Sequence, residues 1–150
     1  IIQNKGEYYR LIQSVRDSGD WESWVLYILR GIDATATETI ILVKQIKILM
    51  QEYKVKMRNC LEKQYSHELL NNIFSHPYTK IEFVMNDIKV SRITAAKYLN
   101  KLVEHGLLEK VKMGTSNFYL NPELTRLLIN HSENQNIEGF EAIESISKMI

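Results

Sequence analysis

The feature that most constrains this chain is a single change of hydrophobic period near Gly106. Up to His105 the apolar residues Ala95, Ala96, Leu99, Leu102 and Val103 recur at steps of three and four, the period of an amphipathic helix. Gly106 suits the left-handed residue that closes such a helix. From Leu107 to Met113 the period becomes two: Glu109, Val111 and Met113 fall on one side, Lys110 and Lys112 on the other. Gly114-Thr115-Ser116 turns the chain, and Asn117 to Leu120 returns as a second strand.

Two shorter helices precede that segment. Tyr65–Phe74 carries Leu69, Leu70, Ile73 and Phe74 on one face, and His76-Pro77 ends it, because the residue before a proline is pushed out of the helical region. Ile81, Val84, Met85 and Ile88 mark the second. Lys89-Val90-Ser91 is a tight turn, with Ser91 as N-cap of the third helix, Arg92 to His105. Asn121-Pro122-Glu123 opens a last helix whose inward residues are Leu124, Leu127 and Leu128. Helix, helix, turn, helix and hairpin in this order predict a winged helix-turn-helix domain over residues 65–130.

Residues 1–58 read as helical. Asn4 and Glu7 have capping-box spacing, and Tyr8, Leu11, Ile12 and Val15 share a face. Ser18-Gly19-Asp20 stops that helix and starts the next, which carries Trp21, Trp24, Val25, Ile28 and Leu29. Thr35 and Glu38 form a second capping-box pair. After them Ile40, Val43, Ile46, Leu49 or Met50, Tyr53 and Met57 predict a long amphipathic helix. The aromatics Tyr8, Tyr9, Trp21, Trp24 and Tyr27 are expected in a helix–helix core. The basic cluster Lys54, Lys56, Arg58 and Lys63 is expected at the solvated end of the long helix. Residues 59–64 read as a linker. Residues 131–150 read as an acidic tail, with Glu133, Glu138, Glu141 and Glu144 and a weak stripe of a short helix. The expected class is mainly α: a helical segment followed by a winged helix-turn-helix with a small β-hairpin.

Composition closes off other classes. The 150 residues are 45% hydrophobic and 25% charged, enough to bury a core, with a net charge of only +1. Cys60 is single, so no internal disulfide can form, and it is expected to be a dispensable, partly buried thiol. No apolar run approaches the ~18 residues of a membrane helix, and no membrane partner is expected. The start, Ile1-Ile2-Gln3-Asn4-Lys5, has no signal-peptide pattern and no initiating Met, which reads as a piece of a cytoplasmic protein. His67, His76, His105 and His131 are scattered, with no metal-ligand spacing, and no phosphate-binding loop or nucleophile elbow occurs. Catalytic and metal residues are therefore expected to be none.

Asn4-Lys5-Gly6-Glu7-Tyr8-Tyr9, Val15-Arg16, Gly19-Asp20-Trp21-Glu22-Ser23-Trp24 and Leu29-Arg30-Gly31-Ile32 together resemble the C-terminal part of the Fic family. Leu70, Phe74, His76-Pro77-Tyr78, Val90-Ser91-Arg92, Thr94-Ala95, Leu99, Leu102, Gly106-Leu107-Leu108 and Tyr119 are similar to the winged-helix extension of long bacterial Fic proteins. The resemblance covers residues 1 to about 130. It implies a parent that transfers AMP from ATP, with magnesium, to protein hydroxyls. It also implies that the catalytic motif HPFx[DE]GNGRxxR lies outside this chain. His76-Pro77-Tyr78 mimics the start of that motif, but Thr79-Lys80-Ile81-Glu82 follows instead of the phosphate-holding GNGR. The family's inhibitory motif, [ST]xxxE[GN], is missing too: Ser23 follows Ser18 and Glu22, and Asn134 precedes Glu138-Gly139. No cofactor is expected in this chain; ATP and Mg belong to the full-length parent.

Candidate DNA-binding residues are Lys89, Ser91, Arg92, Thr94, Lys97, Lys101, Lys110 and Lys112. Thr94, Lys97 and Lys101 are spaced to face outward together, Arg92 begins the reading helix, and Lys110 and Lys112 line one side of the hairpin. Residues 65–130 hold eight cations against six acids, a weak basic footprint. Ile93, expected outward beside Lys97, equally suits contact with a protein target or a second copy in a homodimer. An independent winged-helix regulator with a helical dimerisation arm is the alternative reading.

Overall fold

The computed structural model describes residues 5–132. The expected cap at Asn4 and the expected tail helix lie outside the described residues. The elements are α1 (Lys5–Ser18), α2 (Trp21–Leu61), a 3₁₀ turn (Glu62–Gln64), α3 (His67–Ser75), β1 (Tyr78–Thr79), α4 (Ile81–Ile88), α5 (Arg92–Glu104), β2 (Glu109–Met113) and β3 (Ser116–Leu120). Residues 122–132 are helical and form α6. The chain divides into two compact units, and the division falls inside α2 between Lys44 and Gln45.

In the first unit Gly19, at φ +72°, makes the left-handed stop between α1 and α2. Asp20 accepts a hydrogen bond from the backbone N–H of Ser23 at 3.2 Å, as an N-cap does, and the hydrogen bonds of Ser23, its hydroxyl first and then its backbone, hold the Asp20 carboxyl below the usual range. No second cap interrupts α2. The Thr35 hydroxyl donates back to the Gly31 carbonyl at 2.9 Å, and Thr39 donates to Thr35 at 2.7 Å. Hydroxyls satisfied one turn back do not compete with the helix, so the expected break at Thr35 is replaced by one 41-residue helix. The aromatics differ from expectation as well. Trp21 is 61% exposed and meets Trp24 edge-on, with ring centroids 6.1 Å apart. Tyr9 is exposed and meets Tyr8 in the same way. Tyr8, Trp24 and Tyr27 are half-buried, so only Tyr9 and Trp21 of the five rings stand out in solvent, and Leu11 is the buried residue of α1.

The second unit has a closed core. Tyr53, Met57, Cys60 and Leu61 of α2 pack with Leu69, Leu70 and Ile73 of α3, Val84 of α4, and Ala95, Leu99 and Leu102 of α5. Leu107, Leu108 and Tyr119 complete it. Each fully buried Leu or Ile is worth roughly 1.5–3 kcal/mol. Residues 59–64, expected as a linker, are instead the end of α2 and the 3₁₀ turn, with Cys60 and Leu61 inside the core. The charged neighbours of Cys60 point outward while helix geometry turns its thiol inward. It is 8% exposed, more deeply buried than the partly buried thiol expected.

The helix–helix–turn–helix–hairpin order is as read. Ser66 caps α3 by accepting from Leu69 N–H at 3.1 Å, and Ser91 caps α5 by accepting from Thr94 N–H at 3.2 Å. Gly106, at φ +68°, closes α5. The sheet order is β1-β3-β2, all antiparallel, which gives a small winged-helix-like sheet after the helices. Nothing in the sequence announces β1. Two residues carry no period, and Tyr78-Thr79 becomes a strand only because it meets Leu120 and Tyr119. Thr79 then buries its hydroxyl, which donates to Asn72, and Asn72 donates to Asp87 at 2.6 Å. Asn121 joins α6, α3 and the segment just before β1. Its Oδ1 caps α6 at Leu124 N–H, 3.1 Å; its Nδ2 donates to the Ile73 carbonyl, 3.2 Å; and its N–H donates to the Pro77 carbonyl, 2.8 Å.

Candidate nucleic-acid interface

The eight candidate residues come from the α4–α5 turn, from α5 and from β2. Lys89 ends α4 in the left-handed conformation, φ 59°, with its N–H bonded to the Met85 carbonyl and its side chain exposed. Ser91 and Thr94 lie 3.0 Å apart, hydroxyl to hydroxyl, and Ser91 also holds the α5 cap. Their polar atoms are therefore engaged within the turn. Arg92 is exposed and donates to Glu82 of α4 at 3.4 Å.

Along α5, Ile93, Lys97, Asn100 and Glu104 recur at four, three and four, and all are exposed. Ile93 is 83% exposed, a β-branched side chain standing in water on the first turn. Lys97 stands on this stripe, as expected. Lys101, one turn on and about 40° round the helix from Lys97, is half-buried where Lys97 is exposed.

The hairpin register decides where the other two lysines point. Lys110 is opposite Tyr119 and Lys112 opposite Asn117, whereas Val111 is opposite Phe118. Opposed residues share a face, and Tyr119 is buried toward the helices, so Lys110 and Lys112 stand on the α5 side of the sheet. Lys110 Nζ lies 3.5 Å from Asn100 Oδ1 and 5.6 Å from the Tyr119 ring centroid. The Tyr119 hydroxyl also donates to Asn100, at 3.3 Å. Asn100 thus ties the hairpin to the exposed stripe of α5. It is not among the candidates read from the sequence, although its three-residue step from Lys97 places it on the same stripe.

The structure therefore brings Lys97, Lys110 and Lys112 to one side of this unit, with Lys89, Ser91 and Arg92 at the α5 N-terminus. Lys101 shares the helix face of Lys97 but is half-buried. Of the nearby acids, Glu104 and Glu109 are exposed, Asp87 accepts from Asn72, and Glu82 accepts from Arg92. Beneath this face the Tyr53 phenol is pushed up to about 12, mainly by burial and then by the charge of Glu123. Burial likewise pushes the Cys60 thiol up, against the partial opposition of Lys101. Among the described residues no group of three or more His, Cys, Asp or Glu is placed to hold a metal ion, and no helix is long and apolar enough to cross a membrane.

A family model supplies the relationship to known proteins. The model of the C-terminal domain of SoFic-like protein adenylyltransferases matches residues 49–124. The matched stretch starts in the last turns of α2 that enter the core and ends at the first turn of α6, so it takes in α3, the three strands, α4 and α5. With more than half of its residues matched, from Leu49 to Leu124, this chain belongs to the SoFic-like protein adenylyltransferase C-terminal domain family.

Proposed function

We propose that this chain is the C-terminal binding part of a Fic-related protein adenylyltransferase, and that its winged-helix-like unit holds duplex DNA through phosphate contacts. The parent transfers AMP from ATP; this part carries the nucleic-acid contact. The observation behind the reading is the convergence of Lys97 from α5 with Lys110 and Lys112 from β2, a convergence that the hairpin register produces. Lys89 and Arg92 extend the positive edge at the α5 N-terminus. Four lysines and one ion-paired arginine make a modest footprint, so binding is non-specific, of order 10⁻⁴–10⁻⁶ M at physiological salt. Ile93 faces the groove and suits a thymine methyl.

A second reading rests on Ile93 itself. An isoleucine at 83% exposure next to Lys97 and Glu104 also suits a protein partner, either the target of the transferase or a second copy. One titration separates the two. A labelled duplex is titrated with the folded chain at low salt and then at rising salt. Saturable binding whose log K falls steeply with log salt supports the DNA reading. No binding at low salt, with Ile93 protected in a complex with a protein, replaces it with docking.

A further inference from the structure

The sheet has an opposite face, and its composition is unlike that of the α5 side. Tyr78 is opposite Leu120 and Thr79 is opposite Tyr119. Thr79 and Tyr119 are buried toward the helices, so Tyr78, Phe118 and Leu120 share the outer face, and Val111 and Met113 continue it on β2. Phe83 of α4 joins them. Tyr78 meets Phe118 edge-on with ring centroids 5.4 Å apart, and its centroid is 6.5 Å from that of Phe83. Tyr78 remains 40% exposed, Phe83 37% and Met113 61%, although the other large apolar side chains of β1 and β3 are buried or half-buried.

Lys80 gives this face its charge. Its Nζ lies 4.3 Å from the Phe118 ring centroid and 5.8 Å from that of Phe83. The ion pairs among the described residues join Arg10 with Glu7, Arg92 with Glu82 and Arg126 with Glu123, and Lys80 is in none of them. An ammonium held against two rings has shed part of its water. It offers an anion one strong partner surrounded by apolar surface.

We propose that this outer face docks a short, extended protein segment with aromatic or proline residues flanking one carboxylate. The carboxylate pairs with Lys80, and the flanking residues cover Tyr78, Phe83, Phe118 and Met113. Aromatic-lined surfaces take such segments because an extended, proline-stiffened chain has little entropy left to lose. Charge complementarity selects the occupant. A nucleic-acid strand brings one phosphate per nucleotide, and this face offers a single lysine together with the exposed carboxylate of Glu109. A peptide with one acid matches one lysine. The site is separate from the cationic α5 side and goes beyond the DNA reading.

The test uses the full chain with labelled Met and Val methyl groups. The ligands are the peptide Ac-Phe-Pro-Asp-Phe-NH₂ and its Asn counterpart. The Asp peptide is expected to move the Met113 and Val111 methyl signals saturably and to bind at least threefold more tightly than the Asn peptide. Lys80→Met keeps the apolar stem and is expected to erase that difference. Met113→Glu, at an exposed position that cannot compromise the core, is expected to weaken both peptides at least threefold. The proposal is overturned if the two peptides bind alike, if Lys80→Met preserves their difference, or if neither moves these signals. Tighter binding of an eight-residue oligothymidylate on the same signals assigns the face to single-stranded nucleic acid. Dilution-dependent shifts without ligand assign it to a second copy. Either outcome also overturns the proposal.

Discussion

The phenol hydroxyl of Tyr53 lies 3.0 Å from Oδ1 of Asn121, a residue 68 positions further along the chain. The same hydroxyl lies 3.1 Å from the Leu107 carbonyl, so one proton is shared between two buried acceptors. Tyr53 belongs to the end of α2, Leu107 to the approach to the hairpin, and Asn121 to the cap of α6. A single side chain thereby fixes the long helix to the open end of the hairpin, where β2 enters and β3 leaves. The ring above it meets Phe74 edge-on at 5.1 Å, which holds the hydroxyl in place.

Removing that hydroxyl is expected to be costly for so small a change. Tyr53→Phe should destabilise the chain by about 1–2 kcal/mol, because two buried acceptors lose their shared donor. Asn121→Ala should cost more, about 2–3 kcal/mol, since it also removes the α6 cap and a donor to the Ile73 carbonyl. Urea unfolding is the measurement. Both midpoints should fall at an unchanged slope, with Asn121→Ala the lower; the reverse order rejects this account of the junction.

Stability should also fall in alkali. The folded Tyr53 phenol titrates at about 12 and an unfolded tyrosine near 10, so the native state holds a proton that the unfolded state releases. The stabilisation is complete below about pH 10 and is lost as pH rises toward 12. The raised Cys60 thiol acts in the same direction above its ordinary range. A Tyr53→Phe chain should show a flatter decline between pH 10 and 12 than the unmodified one in parallel unfolding curves.

Cys60 should react slowly while the chain is folded. The thiol is buried, its pKa is raised, and it lies 3.6 Å from the Met57 carbonyl. Thiolate is the reactive form, so both burial and the pKa oppose modification. A thiol reagent added at neutral pH should label Cys60 at least tenfold faster in urea than in buffer. Cys60→Ser should cost about 1 kcal/mol, because the smaller hydroxyl still finds Met57 but leaves part of its space unfilled.

For the DNA reading, the lysines should separate by exposure. Lys97→Ala with Lys112→Ala should flatten the log K against log salt plot by up to about two units, roughly 0.9 for each phosphate that is no longer neutralised. Lys101→Ala should change the slope less than Lys97→Ala, because that side chain is half-buried. Fluorescence anisotropy with one duplex at four salt concentrations reads all of these. An equal effect of Lys101→Ala means that the reading surface is not the exposed stripe of α5.

Local patterns carried much of the second unit. Ser91, Gly106 and Asn121 each announce a helix end by chemistry that needs no tertiary context, and all three perform those roles. The alternation from Glu109 to Met113 separates Lys110 and Lys112 from Val111 before any partner strand is known. Other features have no local signal. Tyr78-Thr79 is a strand only because β3 passes beside it. Thr35 resembles a cap in sequence, yet its hydroxyl finds the Gly31 carbonyl and α2 runs on. Cys60 sits among charged residues in sequence, but the angle of its helix turns it into the core. Lys101 shares a helix face with Lys97, one turn on, and only packing leaves it half-buried while Lys97 is exposed. The sequence by itself determined which segments are helix and hairpin, because capping and period act within a few residues. The tertiary structure alone decided which lysines converge and which aromatic rings stay in water, because those depend on register and on helix rotation between residues far apart in the chain.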